Sequence, residues 1–90
     1  MKKPETLFKE KIAKKLKEKG VWFYKTNDKT ARGIPDFIIC ANGKFIAIEL
    51  KVGDNKPTKL QEYQLNSIRQ AKGVALVIYP ETQDDLLKNL

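Results

Sequence analysis

A two-residue turn, Asn42-Gly43, lies between two apolar runs and constrains the fold of this chain more than any other feature. Asn and Gly tolerate the positive φ angles of the tight turns that join neighbouring antiparallel strands. A loop of fixed length also fixes which residues face each other across the hairpin. Counting outward from the turn, residue 41 faces 44, residue 38 faces 47, and the last predicted pair is Asp36 with Glu49. The sequence therefore predicts a hairpin that holds two carboxylates side by side.

This carboxylate pair is predicted at a non-hydrogen-bonded site of the ladder, where opposing side chains approach most closely. Two carboxylates in that position repel each other unless a positive charge lies between them. Lys51 follows Glu49 by two residues and therefore points to the same face. We expect a divalent metal between Asp36 and Glu49. The alternative is that both strand ends are solvated and that Lys51 forms a surface ion pair with Asp36.

The alternation of side chains divides the hairpin into two faces. One face carries Phe37, Ile39, Ala41, Ile46, Ile48 and Leu50, and the other carries Asp36, Ile38, Cys40, Phe45, Ala47, Glu49 and Lys51. Because both faces are largely apolar near the turn, we expect the hairpin to lie at the centre of a sheet that is covered on both sides. Cys40 is accordingly expected to be a small, buried apolar residue.

The segments before the hairpin predict a helix and a strand. The helix is expected from Pro4 to Gly20, because Pro suits the first turn and Gly the position after the last. Its apolar stripe consists of Leu7, Phe8, Ile12 and Leu16. Residues 21–25 are β-branched or aromatic and predict a strand. Its aromatic residues, Trp22, Phe23 and Tyr24, are expected to pack on the sheet rather than to stack on bases.

The segments after the hairpin predict a helix, a strand and a short final helix. Thr58 and Gln61 have the spacing of a capping box, which starts a helix that ends at Gly73. Capping explains Gln61 as well as a functional role would. Residues 74–79 are continuously apolar and predict a buried strand in parallel pairing, and residues 81–90 predict a short helix. The αβββαβ order predicts one α/β domain over residues 1–90, with a mixed central sheet flanked by helices.

The composition narrows the class of function. The chain of 90 residues has 18 Lys and Arg against 11 Asp and Glu, and its net charge of +7 favours a polyanionic partner, nucleic acid before membrane. Histidine is absent, so a metal would be held by oxygen ligands, which favours Mg²⁺ or Mn²⁺. One cysteine and the lack of an apolar run of about 20 residues predict an intracellular (cytoplasmic) protein without a membrane segment.

A polar loop and its borders supply the candidates for contact with DNA. Gly33 lies in the segment before Asp36, which is either a plain turn at the start of the strand or a place where the lack of a side chain would let a phosphate backbone approach. The basic residues of this region would neutralise phosphate charges. The candidate DNA-binding residues are Lys25, Lys29, Arg32 and Gly33.

Three motifs together resemble those of the PD-(D/E)xK nuclease superfamily. They are Gly33-Ile34-Pro35-Asp36, Ile48-Glu49-Leu50-Lys51 and Thr58-x-x-Gln61. Within that superfamily the chain is most similar to the VRR-NUC (virus-type replication–repair nuclease) branch, and the resemblance covers nearly the whole chain. It implies a restriction-endonuclease-like core and an endonuclease that depends on Mg²⁺ or Mn²⁺.

The resemblance also implies roles for individual residues. They are metal binding by Asp36, Glu49 and the Leu50 carbonyl, positioning or activation of water by Lys51, and support of the site by Gln61. A glutamate of the first helix would lie near the metal, and Glu5 matches this position better than Glu10. Lys25 matches a lysine that some relatives have at the end of the first strand.

Small, stand-alone members of this branch resemble structure-selective nucleases that act on Holliday junctions as homodimers. The resemblance therefore implies a homodimeric endonuclease for four-way junctions or other branched DNA, with a role in DNA repair or recombination. One alternative is a basic DNA-binding accessory module without catalysis. Another is a nuclease that acts on RNA or on simple duplex ends.

Overall fold

The hairpin around Asn42-Gly43 forms the centre of a four-stranded sheet in the computed structural model, which describes residues 1–27, 32–88 and 90. Strands β2 (Phe37–Ala41) and β3 (Lys44–Leu50) pair antiparallel, from residues 41 and 44 at the turn to residues 37 and 48. Asn42 and Gly43 have φ angles of 55° and 75°, as a two-residue type I′ turn requires. The predicted turn and the predicted register are both confirmed over this ladder.

The outer strands complete a mixed sheet in the order β1-β2-β3-β4. Strand β1 (Trp22–Lys25) is antiparallel to β2, and β4 (Val74–Ile78) is parallel to β3. The parallel pairing needs a crossover, which contains helix α2 (Lys59–Gln70). The predicted α/β class, the central position of the hairpin and the parallel last strand are confirmed.

Helix α1 (Pro4–Lys19) begins and ends where the sequence predicts. Pro4 occupies the first turn, and Gly20 adopts a left-handed conformation with a φ of 73° and donates its backbone N–H to the Lys17 carbonyl. A short helix α3 (Gln83–Leu87) follows β4, within the predicted range. Among the described residues, no helix combines the length and the apolar character that crossing a membrane requires.

The main core lies between α1 and one face of the sheet. Phe8, Ile12 and Leu16 of α1 are buried there, and Leu87 of α3 joins the same cluster. The sheet contributes Phe37, Ile39, Ala41, Ile46, Ile48, Leu50 and Ile78. Leu7 was predicted in the apolar stripe, but it is 52% exposed. It lies about 100° around the helix from Phe8, away from the row of residues spaced four apart.

The opposite face of the sheet is covered only in part. Helix α2 packs on β4, and Ala47 and Ala75 are buried on this side of β3 and β4. The guanidinium of Arg69 donates two hydrogen bonds to the Ala75 carbonyl, at 2.7 and 3.2 Å. Because the crossover carries α2 over the parallel pair, the other half of this face lacks a helix among the described residues.

Two expectations about this face are therefore wrong. On its second side the hairpin is covered only along β3, where Ala47 is buried, and Cys40 of β2 is exposed rather than buried. Trp22 and Tyr24 of β1 are 61% and 58% exposed, so neither packs into a core. Phe23 points the other way and packs edge-on against Phe37, with 6.0 Å between ring centroids. Of the three aromatic residues of β1, only this one fulfils the packing expectation.

Candidate functional site

Asp36 lies directly before β2 and is held by contacts on both of its carboxylate oxygens. Oδ2 accepts a hydrogen bond of 2.8 Å from the Leu50 backbone N–H, across the end of the hairpin. Oδ1 lies 3.2 Å from the Lys9 ammonium nitrogen of α1. The hairpin and the first helix therefore fix this carboxylate together, at the end of the sheet where Glu49 also lies.

Glu49 is the most unusual group of the site because it is a carboxylate that is only 2% exposed. Its Oε2 atom lies 3.6 Å from the Lys51 ammonium nitrogen, and Oε1 has no hydrogen-bond partner among the described residues. Burial, and after it the charge of Asp36, raise the pKa of Glu49 to about 7, although the charges of Lys51 and Lys9 oppose the rise. A buried acceptor without a partner is costly, so this oxygen favours a bound cation or proton.

A cleft of about 180 Å³ opens beside the two carboxylates. Its lining comes from α1, the end of β1, the turn before β2, strand β3 and the first turn of α2. The lining residues are Glu5, Lys9, Lys25, Asn27, Gly33, Ile34, Asp36, Glu49 and Gln61. Residues that are distant in sequence and mostly polar or charged thus converge on one small volume.

The structure distinguishes between the two glutamates of α1 that the resemblance suggested as the residue near the metal. Glu5 is partly buried and lines the cleft, one helical turn before Lys9. Glu10 is exposed and forms an ion pair with Lys2, at 2.7 Å. Of these two glutamates, Glu5 is the one that the fold brings to the carboxylate pair.

Gln61 lies in the cleft and also caps α2. Its side-chain oxygen accepts a hydrogen bond of 2.8 Å from the Thr58 N–H, and its own N–H donates to the Thr58 hydroxyl at 3.2 Å. The capping box is therefore confirmed. Because the side-chain oxygen already accepts this hydrogen bond, the amide NH₂ is the group of Gln61 that can donate hydrogen bonds into the cleft.

Gly33 lines the cleft, but the reason why this position requires a residue without a side chain differs from close approach of a phosphate. Its φ is 73°, and a Cβ atom built on it would lie 2.5 Å from the Leu60 carbonyl carbon. The backbone of α2, rather than a phosphate, thus occupies the space beside this residue. Gly33 is needed so that the turn before Asp36 can pack directly against the first turn of α2.

A substitution at Gly33 tests this close packing. Gly33→Ala combines a left-handed backbone with a collision against α2, and we expect it to lower the free energy of unfolding by about 3 kcal/mol. Gly43→Ala is the matched control, because its φ is 75° and no atom lies within 4 Å of the added Cβ. The control should lose only about 1 kcal/mol. Urea unfolding measures the free energy of unfolding of both variants. An equal decrease in the two would contradict the close packing of Gly33 against α2.

The other predicted DNA-contacting residues have different positions. Lys25 is partly buried and lines the cleft. Arg32 is exposed, and its carbonyl accepts a hydrogen bond of 3.2 Å from the Gln64 side chain. Lys29 lies outside the described residues. Of the three members of this group that the structure describes, Lys25 and Gly33 line the cleft beside the carboxylates, and Arg32 does not.

The fold adds residues to the site that the sequence did not single out. Lys9 contacts Asp36 directly, and Asn27 and Ile34 line the cleft. Lys9 follows Glu5 by four residues, which places both side chains on one face of a helix. The i, i+4 spacing from Glu5 could have indicated a role for Lys9, but α1 contains many other lysines and the spacing did not distinguish this one.

The residues present fit a divalent cation held by hard oxygen ligands. Within the described ranges, no group of three or more His, Cys, Asp and Glu side chains is arranged to hold an ion. Mg²⁺ needs fewer side chains than that, because it keeps several waters and is often held by one or two carboxylates together with phosphate oxygens. The Glu49 oxygen without a partner could provide one ligand, and Asp36 could provide a second.

A third ligand is available from the backbone of β3. The Leu50 N–H points towards Asp36, and the N–H and C=O of one strand residue face the same neighbouring strand. The Leu50 carbonyl therefore lies on the Asp36 side of β3. The donor set of Asp36, Glu49 and the Leu50 carbonyl is thus sterically consistent with the set that the resemblance implies.

No protein-family model and no curated protein matches this sequence.

Proposed function

We propose that this chain is a metal-dependent endonuclease of the PD-(D/E)xK type, close to the VRR-NUC branch and with a restriction-endonuclease-like core. The observation that carries the proposal is the buried Glu49, which has an oxygen without a partner, beside Asp36 and Lys51. Burial of such a group lowers the stability of the fold. Groups of this kind are concentrated at functional sites.

The residues of the cleft match the needs of phosphodiester hydrolysis. Asp36, Glu49 and the Leu50 carbonyl would hold Mg²⁺ or Mn²⁺, which when bound polarises the scissile phosphate and lowers the pKa of a coordinated water. Lys51 lies beside Glu49 and can orient the attacking water or offset charge that develops on the phosphate. Lys9 and Lys25 can hold the flanking phosphates, because both line the cleft.

The proposed substrate is DNA, and branched DNA such as a four-way junction in particular. The net charge of +7 supports a polyanionic substrate. A four-way junction has two-fold symmetry, which a homodimer with two equivalent sites would match. A role in recombination or repair would follow from this substrate class.

A cleavage assay on a panel of substrates tests the proposal. The purified protein is incubated with Mg²⁺ or Mn²⁺ and with four-way junction, flap, nicked, single-stranded and linear duplex DNA, and with an RNA duplex. We expect nicking of the junction near its branch point, and no nicking in the presence of chelator. Salt-dependent DNA binding without cleavage under any metal condition would instead indicate a binding module without catalysis.

Gln61 offers a test that separates capping from support of the site. Gln61→Glu keeps the capping box, because Glu and Gln are both suited to this position of the helix. It adds a fourth carboxylate to the cleft, beside those of Glu5, Asp36 and Glu49. We therefore expect cleavage to fall by about tenfold with an unchanged midpoint of thermal unfolding. Thr58→Ala is the control for the cap, and should lower stability by about 1 kcal/mol. Parental cleavage by Gln61→Glu would reduce Gln61 to a capping residue.

A further inference from the structure

The side chain of Lys9 reaches from α1 to one of the two oxygens of Asp36. Its ammonium nitrogen lies 3.2 Å from Oδ1, and the side chains of Lys9 and Asp36 are 32% and 16% exposed. The other oxygen, Oδ2, accepts the Leu50 N–H at 2.8 Å. Both oxygens of Asp36 are therefore in use, one by the backbone of β3 and one by an ammonium group.

Oδ1 is the oxygen of Asp36 that a metal ion would need. The Leu50 N–H belongs to the backbone of β3 and stays on Oδ2, whereas the ammonium group of Lys9 is carried by a flexible side chain. Mg²⁺ binds carboxylate oxygens at about 2.1 Å, so a metal ion on Oδ1 and the Lys9 nitrogen would lie within roughly 5 Å of each other. Like charges repel strongly at that separation in a partly buried site. Lys9 and a divalent cation therefore compete for Asp36.

The other lysine beside the carboxylate pair is held differently. Lys51 lies 3.6 Å from Glu49, and its side chain is only 11% exposed. The Lys9 side chain is more exposed, and its four-carbon stem has rotatable bonds that let the ammonium group change its partner. Of these two lysines, Lys9 is the one that can leave its carboxylate without disturbing the packing of the sheet.

A purely structural role explains the contact between Lys9 and Asp36 less well. Phe8 and Ile12 of the same helix are 5% and 0% exposed in the main core, so apolar packing already fixes α1 to the sheet. A partly exposed ion pair adds little to this stability. The contact has its larger effect on the charge of Asp36, the residue proposed to bind the metal.

We propose that Lys9 is an exchangeable cation of the cleft, which occupies Asp36 in the metal-free protein and moves to a phosphate of DNA when the metal binds. Lys9 lines the cleft, and a phosphate that enters there offers its ammonium group charge-assisted hydrogen bonds in place of those to Asp36. Without DNA, Lys9 opposes metal binding at Asp36. The proposal rests on the metal site of the proposed function, but it does not require that the chain cleaves DNA.

Titration calorimetry with Mn²⁺ in the absence of DNA provides the first test. Lys9→Met keeps an unbranched side chain and removes the competing charge, so we expect the dissociation constant of Mn²⁺ to fall by at least about tenfold. Lys9→Arg keeps the charge and should bind Mn²⁺ like the parent. An affinity of Lys9→Met that is equal to or weaker than that of the parent would overturn the proposal, because Lys9 would then be indifferent to the metal or support its binding.

Lys15→Met is the matched control for this titration. Lys15 lies on the same helix, its side chain is 28% exposed, and it forms an ion pair of 3.0 Å with Asp84. It does not line the cleft. The control lowers the net charge of the chain by the same amount as Lys9→Met, and it should bind Mn²⁺ like the parent. A gain in affinity equal to that of Lys9→Met would assign the effect to net charge and overturn the proposal.

Acetylation of the parental chain, with mass spectrometry of each lysine, provides a second test that needs no variant. Saturating Mn²⁺ should raise the rate of Lys9 acetylation by about twofold or more, because the contact with Asp36 is broken, and should leave Lys15 unchanged. Adding four-way junction DNA to the metal-bound protein should lower the rate at Lys9 again. A Lys9 rate that Mn²⁺ leaves unchanged would overturn the proposal, as would a rate that bound DNA does not lower.

The outcomes for Lys9 and for the proposed function are distinguishable. Tighter Mn²⁺ binding by Lys9→Met in a chain that cleaves no DNA would support the exchange and contradict the nuclease. Cleavage by a chain in which Lys9→Met leaves Mn²⁺ binding unchanged would support the nuclease and overturn the exchange. If neither the parent nor Lys9→Met binds Mn²⁺, both proposals are wrong.

Discussion

Replacing Asp36 by Asn should reduce metal-dependent cleavage by about 10³-fold or more while leaving the fold intact. Asn retains an oxygen that can accept the Leu50 N–H, so the end of the hairpin keeps its hydrogen bond. It removes the charge that would hold a divalent cation, and a metal ion contributes several kcal/mol to the stabilisation of the transition state. The measurement is single-turnover cleavage of a four-way junction in Mg²⁺, with the binding of the same junction measured in parallel.

Asp85→Asn provides the matched control for this loss. Asp85 is exposed on α3, which packs on β4 and does not line the cleft. The control should cleave at the parental rate. Parental cleavage by Asp36→Asn, with correct folding confirmed by circular dichroism, would remove Asp36 from the mechanism. A loss of DNA binding equal to the loss of cleavage would assign Asp36 to binding rather than to chemistry.

Replacing Glu49 by Gln should stabilise the metal-free protein at neutral pH. The folded-state pKa of Glu49 is raised from 4.5 to about 7, so the folded state holds this proton more tightly than the unfolded state. The contribution of Glu49 to stability is therefore most favourable below about pH 4.5 and is lost as pH rises towards 7. At 1.36 kcal/mol for each pKa unit, the loss is on the order of 3 kcal/mol, which Gln avoids because it carries no charge.

The measurement is urea unfolding of the parent and of Glu49→Gln in chelator, at pH 4.5 and at pH 7.5. The two proteins should be similar at the lower pH, and the variant should be more stable by on the order of 3 kcal/mol at the higher pH. Added Mn²⁺ should stabilise the parent and not the variant, because metal binds the folded state that has both carboxylates. Glu18→Gln, an exposed substitution on α1, should follow the parent. A pH-independent difference between parent and variant would contradict the link between burial and ionisation.

The parts of the fold that local chemistry determines could be predicted from the sequence. The Asn42-Gly43 turn, the Gly20 helix end and the Thr58 capping box each depend on a few adjacent residues, and all three are found as expected. Because the turn fixes the register, the proximity of Asp36 and Glu49 also followed from the sequence. The closeness of the two carboxylates could thus be predicted from the hairpin alone, without any tertiary contact.

What the sequence could not supply depends on where α2 lies over the sheet. An apolar strand looks the same whether a helix covers it or not, so the exposure of Cys40, Trp22 and Tyr24 was missed. The contact between Lys9 and Asp36 depends in the same way on how α1 crosses the end of the sheet. The packing of α2 against Gly33 likewise joins segments about 27 residues apart, beyond the reach of any local pattern.

The Lys9–Asp36 ion pair has a consequence for how ligands bind the cleft. Three carboxylates, of Glu5, Asp36 and Glu49, are offset by three ammonium groups, of Lys9, Lys25 and Lys51. The net charge of the site is therefore close to zero, and binding of a divalent cation alone would make it positive. A phosphate backbone supplies the missing negative charge, so the two ligands should bind cooperatively. Thermodynamic linkage then requires that DNA tighten the metal by the same factor by which the metal tightens DNA.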